Sequence, residues 1–74
     1  MQIFIKNFVG NMIALDADRS ETIYNLKLKI QHREGIAPGA QHLIYAAKQL
    51  EDDKTIAEYN IERASILYLT QQPV

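Results

Sequence analysis

Apolar and polar side chains alternate along the first part of the chain. The alternation covers residues 1–6 and returns over residues 13–17, after a loop that contains Gly10. A period of two is typical of a strand with one face in the core. Two such runs around a short glycine-containing loop predict a β-hairpin. The positions predicted to face the core are Met1, Ile3, Ile5, Ile13, Leu15 and Ala17.

The period changes in the next segment, where apolar residues follow the i, i+3, i+7 spacing of one helix face. Thr22 can accept a hydrogen bond from a free amide of the first turn, and Gly35 suits the position after the last turn. We therefore predict one amphipathic helix over about residues 23–34, with Tyr24 and Leu28 off its buried stripe. The residues of that stripe are Ile23, Leu26 and Ile30.

Strand-like alternation returns in the second half of the chain. Residues 41–45 and 65–70 alternate, and residues 48–50 form a short run between them. Residues 55–59 predict a single helical turn, followed by Asn60 in the left-handed conformation that asparagine tolerates.

The predicted element order is β-β-α-β-β-(short helix)-β, which indicates one domain over residues 1–70. A single long amphipathic helix has to lie across one face of the sheet, so we predict an α+β roll with a mixed sheet. The first and last strands are expected to pair at its centre. Residues 71–74 lack a pairing pattern and are predicted to be a disordered tail.

Composition excludes several classes of function. The 74 residues include no cysteine and carry a formal net charge of −1, so we expect no disulfide, no thiolate metal site and no nucleic-acid partner. No apolar run approaches the roughly 18–20 residues that span a bilayer, so we expect no membrane association. His32 and His42 lack ligand spacing, and no nucleophile has a base and an orienting acid near it in the pattern. We expect no metal, no cofactor and no enzymatic activity.

Several segments strongly resemble the ubiquitin family. The match runs without gaps from Met1 to about Leu69 and implies the β-grasp fold, which agrees with the element order above. The segments that carry it are Met1-Gln2-Ile3-Phe4, Lys27 with Lys29-Ile30-Gln31, Glu34-Gly35-Ile36, Lys48-Gln49-Leu50-Glu51-Asp52 and Tyr59-Asn60-Ile61.

The resemblance fails at the tail that ubiquitin uses for conjugation. Ubiquitin ends Leu-Arg-Leu-Arg-Gly-Gly, and its terminal carboxylate is joined to a lysine amine. This chain reads Gln71-Gln72-Pro73-Val74 at the corresponding place. Pro73 fixes one backbone angle. Gln72 is uncharged, whereas the resemblance implies a positive charge at this position that ubiquitin's activating enzyme recognises. We therefore expect that the chain is not conjugated.

Ubiquitin is also recognised through an apolar patch on the open face of its sheet. The alternation places Phe4 on the outward side as well, and exposed apolar clusters are typical of binding surfaces. The positions of this chain that correspond to the patch are Phe8, His42, Ile44, Ala47, Lys48, Tyr68 and Thr70.

Three non-enzymatic interpretations stay open. Compared with ubiquitin, the core, cap and turn positions are kept, whereas the recognition positions differ. This pattern favours an artificial sequence designed on the ubiquitin backbone, without partners or specific activity. The alternative is a natural ubiquitin-like domain of a larger protein in the cytoplasm or nucleus. Such a domain would bind ubiquitin-receptor or proteasome subunits through its sheet face. A decayed ubiquitin copy is the third. In each case we expect a monomer.

Overall fold

Five strands form one mixed sheet, and a single long helix packs across it, in a computed structural model that describes residues 1–71. The strand order is β2-β1-β5-β3-β4. The elements are β1 Gln2–Asn7, β2 Met12–Asp16, α1 Ile23–Glu34, β3 Gln41–Tyr45, β4 Lys48–Gln49 and β5 Ile66–Gln71, with 3₁₀ turns at Pro38–Ala40 and Ala57–Tyr59.

The first and last strands lie at the centre of the sheet, as predicted. β1 runs parallel to β5 and antiparallel to β2, and β3 runs antiparallel to both β5 and β4. Parallel neighbours need a crossover connection, and α1 lies within it. The predicted α+β β-grasp roll is therefore confirmed.

The helix begins and ends where its capping residues predict. The Thr22 hydroxyl accepts a hydrogen bond from the Asn25 amide at 3.1 Å. Gly35 adopts the left-handed conformation at φ 75° and donates its N–H to the Gln31 carbonyl at 2.8 Å. Tyr24 and Leu28 are exposed, as their place off the stripe predicts.

The core lies between the inner face of the sheet and α1. The helix supplies its predicted stripe to this core, and Ile56 and Ile61 close it from the segment before β5. The buried apolar residues are Ile3, Ile5, Leu15, Ala17, Ile23, Leu26, Ile30, Leu43, Leu50, Ile56, Ile61, Leu67 and Leu69.

Element boundaries differ from the predictions by a residue or two. β5 continues through Gln71, which pairs with Gln41, so this residue belongs to the sheet and not to the predicted tail. The other predicted tail residues, 72–74, lie outside the described residues. The predicted turn over residues 55–59 is shorter, at Ala57–Tyr59, and Asn60 follows it in the left-handed conformation at φ 56°.

Two buried polar side chains join the helix to its surroundings. Lys27 is 6% exposed, and its Nζ donates to Asp52 Oδ1 at 2.6 Å. Gln41 is 1% exposed, and its Nε2 donates to the carbonyls of Lys27 and Ile36 at 3.0 and 2.8 Å. Buried polar groups need such partners because burial removes their hydrogen bonds to water.

Candidate functional site

One row of side chains crosses all five strands on the face of the sheet away from α1. Lys6 pairs with Tyr68 across β1 and β5, and Tyr68 pairs with Ile44 on β3. Met12 on β2 pairs with Lys6, and Gln49 on β4 pairs with Ile44. Because paired residues point to the same side of a sheet, these five side chains share the open face.

A second pair on the open face lies beside this row. His42 on β3 pairs with Thr70 on β5. The Gln49 Nε2 atom lies 2.7 Å from His42 Nδ1, so the amide links β4 to the second pair. The structure therefore brings together four of the predicted patch residues, which are His42, Ile44, Tyr68 and Thr70.

The other three predicted patch residues lie outside these rows. Phe8 follows β1 in the hairpin turn and is 69% exposed. Ala47 is exposed in the turn between β3 and β4, at φ 64°. Lys48 pairs with Tyr45, whose side chain packs against the core, so the alternation places Lys48 off the open-face row.

Further apolar residues on this side of the molecule were missed as members of the site. Met12 is 48% exposed at the β2 end of the row, and Ile66 is 39% exposed in a neighbouring pair with Phe4. Val9, in the same turn as Phe8, is also exposed. The alternation that predicted the outward position of Phe4 was the signal that could have identified Met12 and Ile66.

The charged strand residues on the open face lie apart, with a cation near its centre and a carboxylate at one corner. Lys6 stands within the row, between Met12 and Tyr68. Among the strand residues that the structure describes, Asp16 is the carboxylate that the alternation places on this face, and it pairs with Gln2 at the far corner. The face is thus an apolar surface with a central cation.

Metal-ligand clusters and membrane-spanning helices can be assessed for residues 1–71, the described part of the chain. Over this range, no group of three histidine, cysteine, aspartate or glutamate side chains lies close enough to hold a metal ion. No helix within the described part of the chain is long and apolar enough to cross a membrane.

Comparison with known proteins gives the family. The model of the ubiquitin family matches residues 3–73. The chain belongs to the ubiquitin family. It is 41% identical over 69 residues to Ubiquitin-like protein 1 of Schizosaccharomyces pombe and to Ubiquitin-like protein NEDD8 of Dictyostelium discoideum. These alignments cover 93% of this chain and 88% and 90% of the two relatives.

The relatives differ in how much of their own length the alignment covers. The two above are about as long as this chain. The mouse AN1-type zinc finger protein 4 is 38% identical over 69 residues, but the alignment covers only 9% of its length. A ubiquitin-like segment thus occurs among the relatives both as almost the whole protein and as a small part of a longer one.

Proposed function

We propose that this chain is a natural ubiquitin-like protein that acts without catalysis, by being bound through the open face of its sheet. Similarity at 41% to ubiquitin-like proteins of two organisms supports a natural origin over a designed sequence without activity. Designed origin stays a hypothesis, and the binding experiment below separates the two.

The row from Met12 to Gln49 carries this proposal. Tyr68 at its centre is 51% exposed and Ile44 beside it is half-buried, so a partner can remove apolar surface from water at both. Tyrosine also adds a hydroxyl that can form hydrogen bonds at the rim of an interface. The paired rows hold these side chains at fixed spacings before a partner arrives, which lowers the entropic cost of binding.

The charge of the face indicates the chemistry of the partner. Lys6 lies within the row, so a partner that places a carboxylate beside its apolar side chains would be favoured over one with a lysine there. A second copy presenting the same face would bring two Lys6 ammonium groups together. We infer that the partner is an acidic amphipathic segment of a ubiquitin-receptor or proteasome subunit.

A matched pair of tyrosine variants tests this function. The probe is a synthetic ubiquitin-interacting helix with an apolar stripe and flanking glutamates, titrated by NMR and calorimetry. Tyr68→Ala should weaken binding at least about tenfold, because interface tyrosines are frequent hot spots. Tyr24→Ala is the control, since Tyr24 is 48% exposed but lies on α1, away from the open face.

The titration decides between the interpretations. Binding of the wild-type chain with shifts confined to the open face supports the proposal. Absence of binding at millimolar peptide would favour a designed scaffold, and equal losses from both tyrosine variants would place the interface elsewhere.

The predicted lack of conjugation belongs to the same proposal. It rests on the identities of Gln72 and Pro73, whatever follows Val74 in the full protein. Gln72 cannot form the bidentate pair that an arginine offers to an acidic groove, and Pro73 restricts the residue before it. Incubation with ubiquitin-activating enzyme and ATP should yield no thioester. A chain carrying ubiquitin's tail in place of residues 71–74 should be charged, and a thioester from the unaltered chain would contradict the proposal.

A further inference from the structure

β2 is an edge strand with one side open to pairing. The Asn7 N–H donates to the Asn11 carbonyl at 2.9 Å, which fixes the alternation of hydrogen-bonded pairs along the hairpin. It follows that the backbone groups of Met12, Ala14 and Asp16 point away from β1, toward the edge. An edge with free N–H and C=O groups can pair with another strand.

Two cationic side chains of α1 cover the carbonyl groups on that edge. Lys29 Nζ donates to the Asp16 carbonyl at 2.7 Å, and Arg33 Nη1 donates to the Ala14 carbonyl at 3.3 Å. Four residues of helix rise about 6 Å, and two residues of strand span about 6.7 Å. The i, i+4 spacing of the two cations therefore matches the i, i+2 spacing of successive outward carbonyls.

Lys29 is also held from a second direction. Its Nζ lies 2.8 Å from the Glu21 carboxylate, and Glu21 in turn accepts a hydrogen bond from the Asp18 N–H at 2.7 Å. The ammonium is therefore fixed over the edge by a carboxylate that is itself fixed to the backbone, and it is not a freely moving surface charge.

We propose that Lys29 and Arg33 keep the β2 edge closed to strand pairing with a second copy of this chain. The second copy is the occupant because two β2 strands can pair antiparallel about Ala14, each presenting the same outward backbone groups. On the open face, Ala14 of one copy would then lie opposite Ala14 of the other, with Phe4 beside each on β1, so pairing would remove some apolar surface from water, while Met12 would lie opposite Asp16. Lys29 and Arg33 occupy the Asp16 and Ala14 carbonyl oxygens, which that pairing would need as hydrogen-bond acceptors, and they place positive charge along the junction.

The test removes the donors and keeps the aliphatic stems. Lys29→Met with Arg33→Met should raise the weight-average mass in sedimentation velocity toward that of a dimer, at concentrations where the wild-type chain stays monomeric. The control is Lys54→Met with Arg63→Met, which changes net charge equally at exposed positions outside the edge. The control should remain monomeric.

A third substitution distinguishes pairing through the β2 edge from non-specific self-association. Ala14→Pro removes an outward N–H that β1 does not use, and proline is tolerated on edge strands at such positions. Added to the double variant, it should restore the monomer. A folded double variant that stays monomeric, or a dimer that survives Ala14→Pro, would overturn the proposal.

The Lys29→Met change also removes the ion pair of Lys29 with Glu21, which can unfold the double variant. Arg33→Met alone therefore provides a second test of the proposal. This single variant leaves Lys29 with both of its partners and frees only the Ala14 carbonyl. It should self-associate more than wild type and less than the double variant. A folded Arg33→Met chain with wild-type mass at every concentration would again contradict the proposal.

Discussion

Three alanines occupy the left-handed region of backbone space, where a Cβ atom is unfavourable. Ala46 and Ala47 lie at φ 53° and 64° in the turn between β3 and β4, and Ala64 lies at φ 67° before β5. Two successive left-handed residues make the tight hairpin turn in which asparagine and glycine are usual. The alternation of β3 and β4 predicts a turn here, but two alanines do not indicate its type, because the strand pairing imposes a conformation that they disfavour.

Replacing Ala47 by glycine should therefore stabilise the fold. Glycine relieves the steric cost of positive φ, and its larger entropy loss offsets part of that gain, which leaves about 0.5–1 kcal/mol in unfolding free energy. Urea unfolding measures the change. Ala37→Gly is the control, because Ala37 is exposed at φ −61° and should gain nothing. Equal gains at both positions would mean that strain is not the cause.

Burial and hydrogen bonding have opposite effects on the pKa of the Glu21 carboxylate. Burial raises its pKa, but hydrogen bonds from the Lys29 ammonium, the Asp18 N–H and the Asn25 amide outweigh burial. The pKa therefore lies below its usual value of 4.5. No periodicity in the sequence indicates this cluster, because its members come from a loop and two turns of the helix.

The lowered pKa of Glu21 sets the direction of a pH effect. A depressed carboxyl pKa stabilises the folded state above the unfolded pKa, and this contribution is lost as pH falls through the folded pKa. The advantage of wild type over Glu21→Gln in unfolding free energy should thus shrink as pH falls from 7 through 4.5 and lower. Urea midpoints across this range measure it. NMR titration that gives the same Glu21 pKa in folded and urea-unfolded chains would contradict the prediction.

At the scale of elements, periodicity predicted most of the fold, and tertiary pairing decided the rest. The helix bounds and the outward positions of Ile44 and Tyr68 follow from patterns of period 3.6 and 2. The pairing of Gln71 with Gln41 and the place of Lys48 off the row do not, because each depends on the register with a strand distant in sequence. The local sequence pattern determines whether a segment is a helix or a strand. Where a strand ends and which residues meet in a site depend on its register with strands distant in sequence.

The helix phase has a direct test. Ile30 is 0% exposed, and Ile30→Ala should lower the unfolding free energy by about 2–5 kcal/mol through lost burial and the cavity left behind. Gln31→Ala, one position along and exposed, should change it by less than about 0.5 kcal/mol. Chemical denaturation compares the two, and equal losses would show that the buried stripe has been assigned to the wrong face.

The whole molecule behaves as one small body around one core. Its radius of gyration is 11.0 Å, close to the roughly 11 Å expected for a chain of this length. Residues from the sheet, the helix and the segment before β5 all enter the same cluster. A core shared in this way predicts all-or-none unfolding, since the loss of one element exposes the core residues of the others to water.

Unfolding should not depend on a metal ion. A structural metal contributes its binding free energy to folding, so its removal lowers the melting temperature. We expect the same Tm with and without an excess of a strong chelator, measured by calorimetry. A drop of several degrees would reveal a metal that supports the fold.

The ion pair of Lys27 with the half-exposed Asp52 makes Lys27 a reporter of the whole molecule. Its side chain is 7% exposed, and its amine is engaged by Asp52. Acylating reagents need a free, accessible amine, so the native chain should react rapidly at Lys48 and Lys54, which are exposed. Lys27 should react only during excursions in which α1 leaves the sheet. Its labelling rate, followed residue by residue by mass spectrometry, would then track the global opening equilibrium without any denaturant.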